Sequence, residues 1–261
     1  MKLNKIMTFF CIGLPICVCL RIFQIVFTIE LETGFYVNQF ATIGKIISAV
    51  IFGFCALLCY FAFKYYKAPE NPPKQNIVLS VVSIGLAAAT ILQAFGESNY
   101  VLTFSWQVWL IRLLGVMATA YIVIYAVKYY IDFKFPPILH IIPCLFMIVR
   151  TAFIFINTSS LAHISDNVLL LAAYCAVLIF FLNYAKLYNN IDNEKNFRKM
   201  LASGLVSASL SLTQSLPHIV VNIASGNKYL HVSHISNISV LLMGIFVLTF
   251  LVSHFFIGNK D

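Results

Sequence analysis

The segment Arg198–Ile223 reads RKMLASGLVSASLSLTQSLPHIVVNI, and how it is read decides the fold. It is long enough to cross a bilayer, for which about 20 residues suffice. Yet it carries Ser203, Ser207, Ser211, Ser215, His218 and Asn222 at spacings of four, four, four, three and four. On an α-helix those spacings make one face, with Gln214 beside it, and Pro217 removes one backbone donor near the helix end. A polar stripe in a spanning segment has to face protein or water rather than lipid.

The rest of the chain supplies the protein for it to face. Of 261 residues 61% are hydrophobic and 10% charged, against about 25% charged in an ordinary soluble domain. Eight apolar runs, at residues 6–29, 40–64, 77–97, 105–130, 137–157, 165–187, 198–223 and 237–257, each have spanning length. This predicts an all-α, polytopic membrane bundle of eight helices, one integral membrane domain over residues 1–261, whose partner is the lipid bilayer. The first run follows Lys2 and Lys5 as a signal peptide would, but no small-x-small site follows it and Arg21 and Gln24 sit within it, so it reads as a retained helix.

Charge placement sets the orientation. With the N-terminus inside, the inner segments hold Lys2, Lys5, Lys64, Lys67, Lys74, Lys128, Lys134, Lys186, Lys195, Arg198, Lys199 and Lys260, and the outer loops hold only Lys228. Twelve against one follows the positive-inside bias and puts both termini in the cytoplasm. The net charge of +8 is then a topology signal, and no nucleic-acid partner is expected. All seven cysteines fall within the runs, which implies no disulfide framework.

Arg21, Lys45, Arg112 and Arg150 lie outside that tally, in the outer halves of their runs. Near them recur triples at i, i+3, i+7, polar at eleven of twelve positions: Arg21, Gln24 and Thr28; Thr90, Gln93 and Glu97; Arg150, Phe153 and Asn157; Ser215, His218 and Asn222. The triples begin at 21, 90, 150 and 215, and the even runs end on similar basic or aromatic clusters. These spacings suggest four tandem hairpins, arranged as a parallel 4+4 repeat with halves 1–130 and 131–261. The competing explanation is that any spanning hairpin needs about 60 residues and that such residues collect at interfaces anyway.

Two arrangements of the outer-half charges are open. In one, the arginines close a salt-bridge network with Glu30, Glu97 and Asp166, because an unpaired charge in hydrocarbon costs at least about 2.5 kcal/mol. In the other, Arg21, Gln24, Gln93, Arg112, Arg150, Gln214, Ser215, His218 and Asn222 line an outward-facing cavity in which guanidinium groups hold a small anionic or polar solute. The second makes the chain a permease-like or sensory component that needs a partner subunit to be energised or to signal. The first makes it a structural or assembly subunit. A third reading is a membrane enzyme with a metal held by His163, Asp166, His231 and His234 at the outer face. Against it, the repeated His-Ile-Ser at 163–165 and 234–236 suits a helix start. No His-Glu-x-x-His or Gly-x-Ser-x-Gly motif is present, so no catalytic residue and no cofactor are assigned.

The stretch Arg21-Ile22-Phe23-Gln24, followed by Glu30-Leu31-Glu32-Thr33-Gly34-Phe35-Tyr36, resembles a pattern in uncharacterised multi-pass membrane proteins of bacteria: an Arg-x-x-Gln helix, then an acidic-Thr-Gly-Phe turn. The resemblance covers about the first 36 residues. It implies a bacterial cytoplasmic-membrane setting and carries over no activity.

Overall fold

The computed structural model describes residues 2–30, 35–37, 39–65, 76–96, 106–128, 130–131, 136–158, 165–189, 191, 193–225 and 234–257. Within them the chain forms α1 (Lys2–Thr28), α2 (Ala41–Tyr65), α3 (Ile77–Gly96), α4 (Trp106–Val127), α5 (Ile142–Thr158), α6 (Ser165–Tyr188), α7 (Asn193–Ala224) and α8 (His234–Leu251). Their positions follow the apolar runs to within a few residues. Pro137 at the first turn gives α5 a 3-10 lead-in, Pro137–Ile141, and a π-helical stretch, Val252–Ile257, extends α8.

Seven of the eight are long and apolar enough to cross a membrane, and α7 is the exception. The chain is therefore a multi-pass membrane bundle in which one long helix has the wrong surface for lipid. Its packing explains why. α6, α5, α4, α3 and α8 pack each on the next in an arc, and the two ends of that arc rest on α7. The α1–α2 hairpin packs on α7 as well, so α7 has four neighbours.

This enclosure corrects the single-face reading of Arg198–Ile223. Between Leu201 and Asn222 most residues of α7 are buried, including Ser209 and Thr213, which lie off the serine stripe. With little surface turned outward, chiefly at Ser203, Val206 and Val220, α7 needs little apolar surface, and its small residues let neighbours approach closely. A side chain at Gly204 would press on Leu251, and one at Gly244 of α8 would press on Ser211. Ser211 thus packs its Cβ closely against α8. Its neighbours Ser207, Ser209 and Ser215 return their hydroxyls to carbonyls of their own helix, at 3.0, 2.7 and 2.6 Å.

A 4+4 duplication would give α3 the surroundings of α7. Instead α3 packs mainly on α4 and α8, whereas α7 packs on α1, α2, α6 and α8.

We call the face where α1 begins proximal and the opposite face distal. At the distal end of α1, Ile29 and Tyr36 form an antiparallel bridge, with Glu30 N–H donating to the Phe35 carbonyl at 2.9 Å and Val37 N–H to the Thr28 carbonyl at 3.0 Å. The bridge folds Tyr36 back over α2, where Gly44 leaves room for its ring. The Thr33-Gly34 turn itself lies outside the described residues.

Candidate functional site

Arg21 sits about two turns from the distal end of α1 and is fully buried. Its Nη2 donates to Oδ1 of Asp166 in the first turn of α6, and its Nη1 donates to Gln24 Oε1 at 2.5 Å. Asp166 is only 1% exposed, so this is an enclosed ion pair. The start of α6 suits a carboxylate, because the helix dipole is positive there. His218 of α7 brings its Nε2 to 3.4 Å from the same Oδ1. Three helices thus meet at one carboxylate, and the closing of charge that the sequence left open is made between residues 145 positions apart.

The Arg-x-x-Gln spacing puts Gln24 on the same face of α1, one turn further on. Its Nε2 donates to the Gly44 carbonyl at 2.6 Å, Ser48 Oγ at 2.9 Å and Tyr36 Oη at 3.0 Å, all on α2 or the segment before it. One amide therefore links the ion pair to the α1–α2 hairpin.

Gln93 and Arg150 form a second group, built on Tyr174 of α6. Gln93 Nε2 donates to Tyr174 Oη, and the Arg150 guanidinium lies 5.8 Å from the Tyr174 ring and 5.9 Å from the Phe153 ring. Both side chains are buried. Arg112 stands apart. It is half-buried between the rings of Phe95 and Trp109, at 5.7 and 5.5 Å, an arrangement suited to a cation near a membrane surface.

On α7, Gln214 and Asn222 lie one turn to either side of His218 and so share its face. Gln214 is 0% and Asn222 3% exposed, and among the described residues neither amide has a hydrogen-bond partner. Pro217 adds a main-chain acceptor to this region, since it offers no N–H to the Thr213 carbonyl four residues back. Ser215 is buried with its hydroxyl turned to Ser211.

The structure thus brings Arg21, Gln24 and His218 together with Asp166, carries Gln214 and Asn222 on the face of His218, puts Gln93 and Arg150 in a neighbouring cluster, and leaves Arg112 at the periphery. Of the metal alternative, His163 and His231 and the side chain of His234 lie outside the described residues, and Asp166 is engaged by Arg21. Among the described residues no three His, Cys, Asp or Glu side chains gather as a metal site.

One polar cluster has no counterpart in the sequence reading. Near the proximal face, His140 Nδ1 and Tyr121 Oη are hydrogen-bonded at 2.5 Å, and Tyr121 Oη meets Tyr184 Oη at 2.8 Å. Tyr188 stacks on the imidazole at 4.3 Å between ring centres. The tyrosines at these helix ends resemble an interfacial belt, and only the inward turn of α4 and α6 makes them a buried relay.

Chemically, the distal seam is a low-dielectric site holding a cation, an anion, an imidazole and two amides whose hydrogen-bonding capacity is unfilled among the described residues. Comparison with known families, with curated proteins and with solved structures finds no matching family model, no matching curated protein and no matching solved structure.

Proposed function

We propose that the chain is a protein of the bacterial cytoplasmic membrane whose eight helices all cross, with both termini cytoplasmic, and that the seam around α7 binds a small polar or anionic solute. The observation that carries this is the pair of buried amides, Gln214 and Asn222, which have no hydrogen-bond partner among the described residues. A buried amide left unsatisfied costs about 1–3 kcal/mol, and two of them on one face of an enclosed helix are better explained by something that they bind than by packing. Solute entry requires the α1–α2 hairpin to part from α7. Gln24 holds that hairpin to the ion pair, so it is the contact through which binding and opening are coupled. A permease-like or sensory role needs a partner chain to supply energy or relay a signal.

The test is a thermal-stability screen of the full chain in nanodiscs against small carboxylates, phosphate esters, amino acids and sugars. One class should raise the midpoint, by an amount equivalent to about 2.7 kcal/mol at a hundred times its dissociation constant, and the shift should vanish in Gln214→Leu. Absence of a shift from every class would overturn the proposal.

The enclosed Arg21–Asp166 pair favours a second reading, a structural or assembly subunit. In that case no solute shifts the midpoint, and the pair is replaceable by apolar residues with no loss beyond stability.

A further inference from the structure

A cavity of about 340 Å³ lies on the proximal half of the molecule between α2, α6 and α7, away from the distal seam. Its floor is α7, at Ala202, Ser203 and Val206, and its walls are Phe63 of α2 and Ile179 of α6. α2 and α6 both pack on α7 but hardly on each other, which leaves a groove open sideways. Ile179 and Phe63 are 50% and 44% exposed along it. Lys186 and Lys199 stand at its proximal end. Lys186 is two residues from the end of α6 and Lys199 six residues into α7.

Depth and charge select the occupant. From Lys199 to Val206 is seven residues, roughly 10 Å along a helix, and from Lys186 back to Ala176 is ten, roughly 15 Å. The groove therefore runs from a dibasic mouth well into the apolar layer. Midway, Asn183 Nδ2 donates to Ser203 Oγ at 3.3 Å across α6 and α7, so the polar groups of the floor are joined to each other. Among the described residues neither lysine has an ion-pair partner, the side chains of Asp192 and Glu194 lying outside them. A free phosphate would use the mouth and leave the apolar length empty; a neutral lipid would use the length and leave the mouth uncompensated.

We propose that this groove binds an anionic phospholipid of the proximal leaflet, with its phosphate between Lys186 and Lys199 and one acyl chain along α7. Basic pockets between helices on the cytoplasmic side have this chemistry. The inference does not depend on the solute proposed for the distal seam.

The test is native mass spectrometry of the detergent-solubilised full chain, titrated with phosphatidylglycerol, phosphatidylcholine and inorganic phosphate. Phosphatidylglycerol should be retained in preference to phosphatidylcholine. The double variant Lys186→Gln, Lys199→Gln should bind it about thirtyfold more weakly, taking each lysine at its usual worth near an anionic surface. Val206→Trp, which fills the floor of the groove, should weaken binding with both lysines in place. Lys186→Arg, Lys199→Arg should retain it and so exclude a folding defect. Three results would each overturn the proposal: equal retention of both lipids, displacement of phosphatidylglycerol by inorganic phosphate at equal concentration, or undiminished binding in Val206→Trp.

Discussion

Asp166→Asn is the most informative single change. The substitution keeps the shape of the side chain but removes the charge that faces Arg21, which is fully buried. Removing one partner of a buried ion pair costs about 3–5 kcal/mol, because the other charge is left uncompensated. Soluble domains of similar size lose roughly 2–4 °C of melting temperature per kcal/mol, so a loss of about 6–20 °C is expected in a micelle or nanodisc melt. Replacing both members, Arg21→Met with Asp166→Leu, removes charge and counter-charge together and should come within about 1 kcal/mol of wild type, or exceed it. The assay is a double-mutant cycle by thermal melting, scored on the solubilised full chain. A loss below about 2 °C for Asp166→Asn, or a double variant as unstable as the sum of the singles, would refute the buried-pair account.

Gln214→Leu and Asn222→Leu should each raise the ligand-free melting temperature, since each removes an unsatisfied buried amide worth about 1–3 kcal/mol; a drop of similar size would show that the amides are already satisfied. Gly115→Ala should destabilise by about 1–3 kcal/mol, because its new methyl would overlap the Ala94 side chain between α4 and α3. Gly53→Ala meets nothing within 4 Å and should be neutral or stabilising by up to about 1 kcal/mol, and comparing the two melts checks the α3–α4 contact. Tyr121→Phe removes one hydroxyl shared by His140 and Tyr184 and should cost about 1–3 kcal/mol in the same melt, whereas a neutral result would show that the relay is not formed.

Much of this fold is legible in the sequence because membrane spans announce themselves by length and apolarity. The eight runs foretell eight helices, and the polarity of Arg198–Ile223 correctly marks α7 as a helix that protein must surround. The number of surrounding helices is not legible. A stripe of serines implies one sheltered face, and the burial of Ser209 and Thr213 on other faces depends on α1, α2, α6 and α8 arriving from elsewhere in the chain. The ion pair shows the same limit. Arg21 demands a counter-charge on physical grounds, but Asp166 reads equally well as a helix-start residue or a metal ligand, and only tertiary packing joins residues so far apart. Tyr121 and Tyr184 look like interfacial aromatics for a similar reason: periodicity tells where a helix ends and is silent on which way its last turn faces.

The central claim is that the polar residues of α7 from Ser207 to Asn222 are sealed inside the bundle. The direct measurement replaces the seven native cysteines, introduces Ser211→Cys, Ser215→Cys or the exposed control Lys199→Cys, and times maleimide modification in membranes with water-soluble and membrane-permeant reagents. With no added solute, the cysteines at 211 and 215 should stay unmodified by both reagents when that at 199 is fully modified. Modification at 211 or 215 from one aqueous side, as fast as at 199, would contradict the enclosed helix and show an open polar channel in its place.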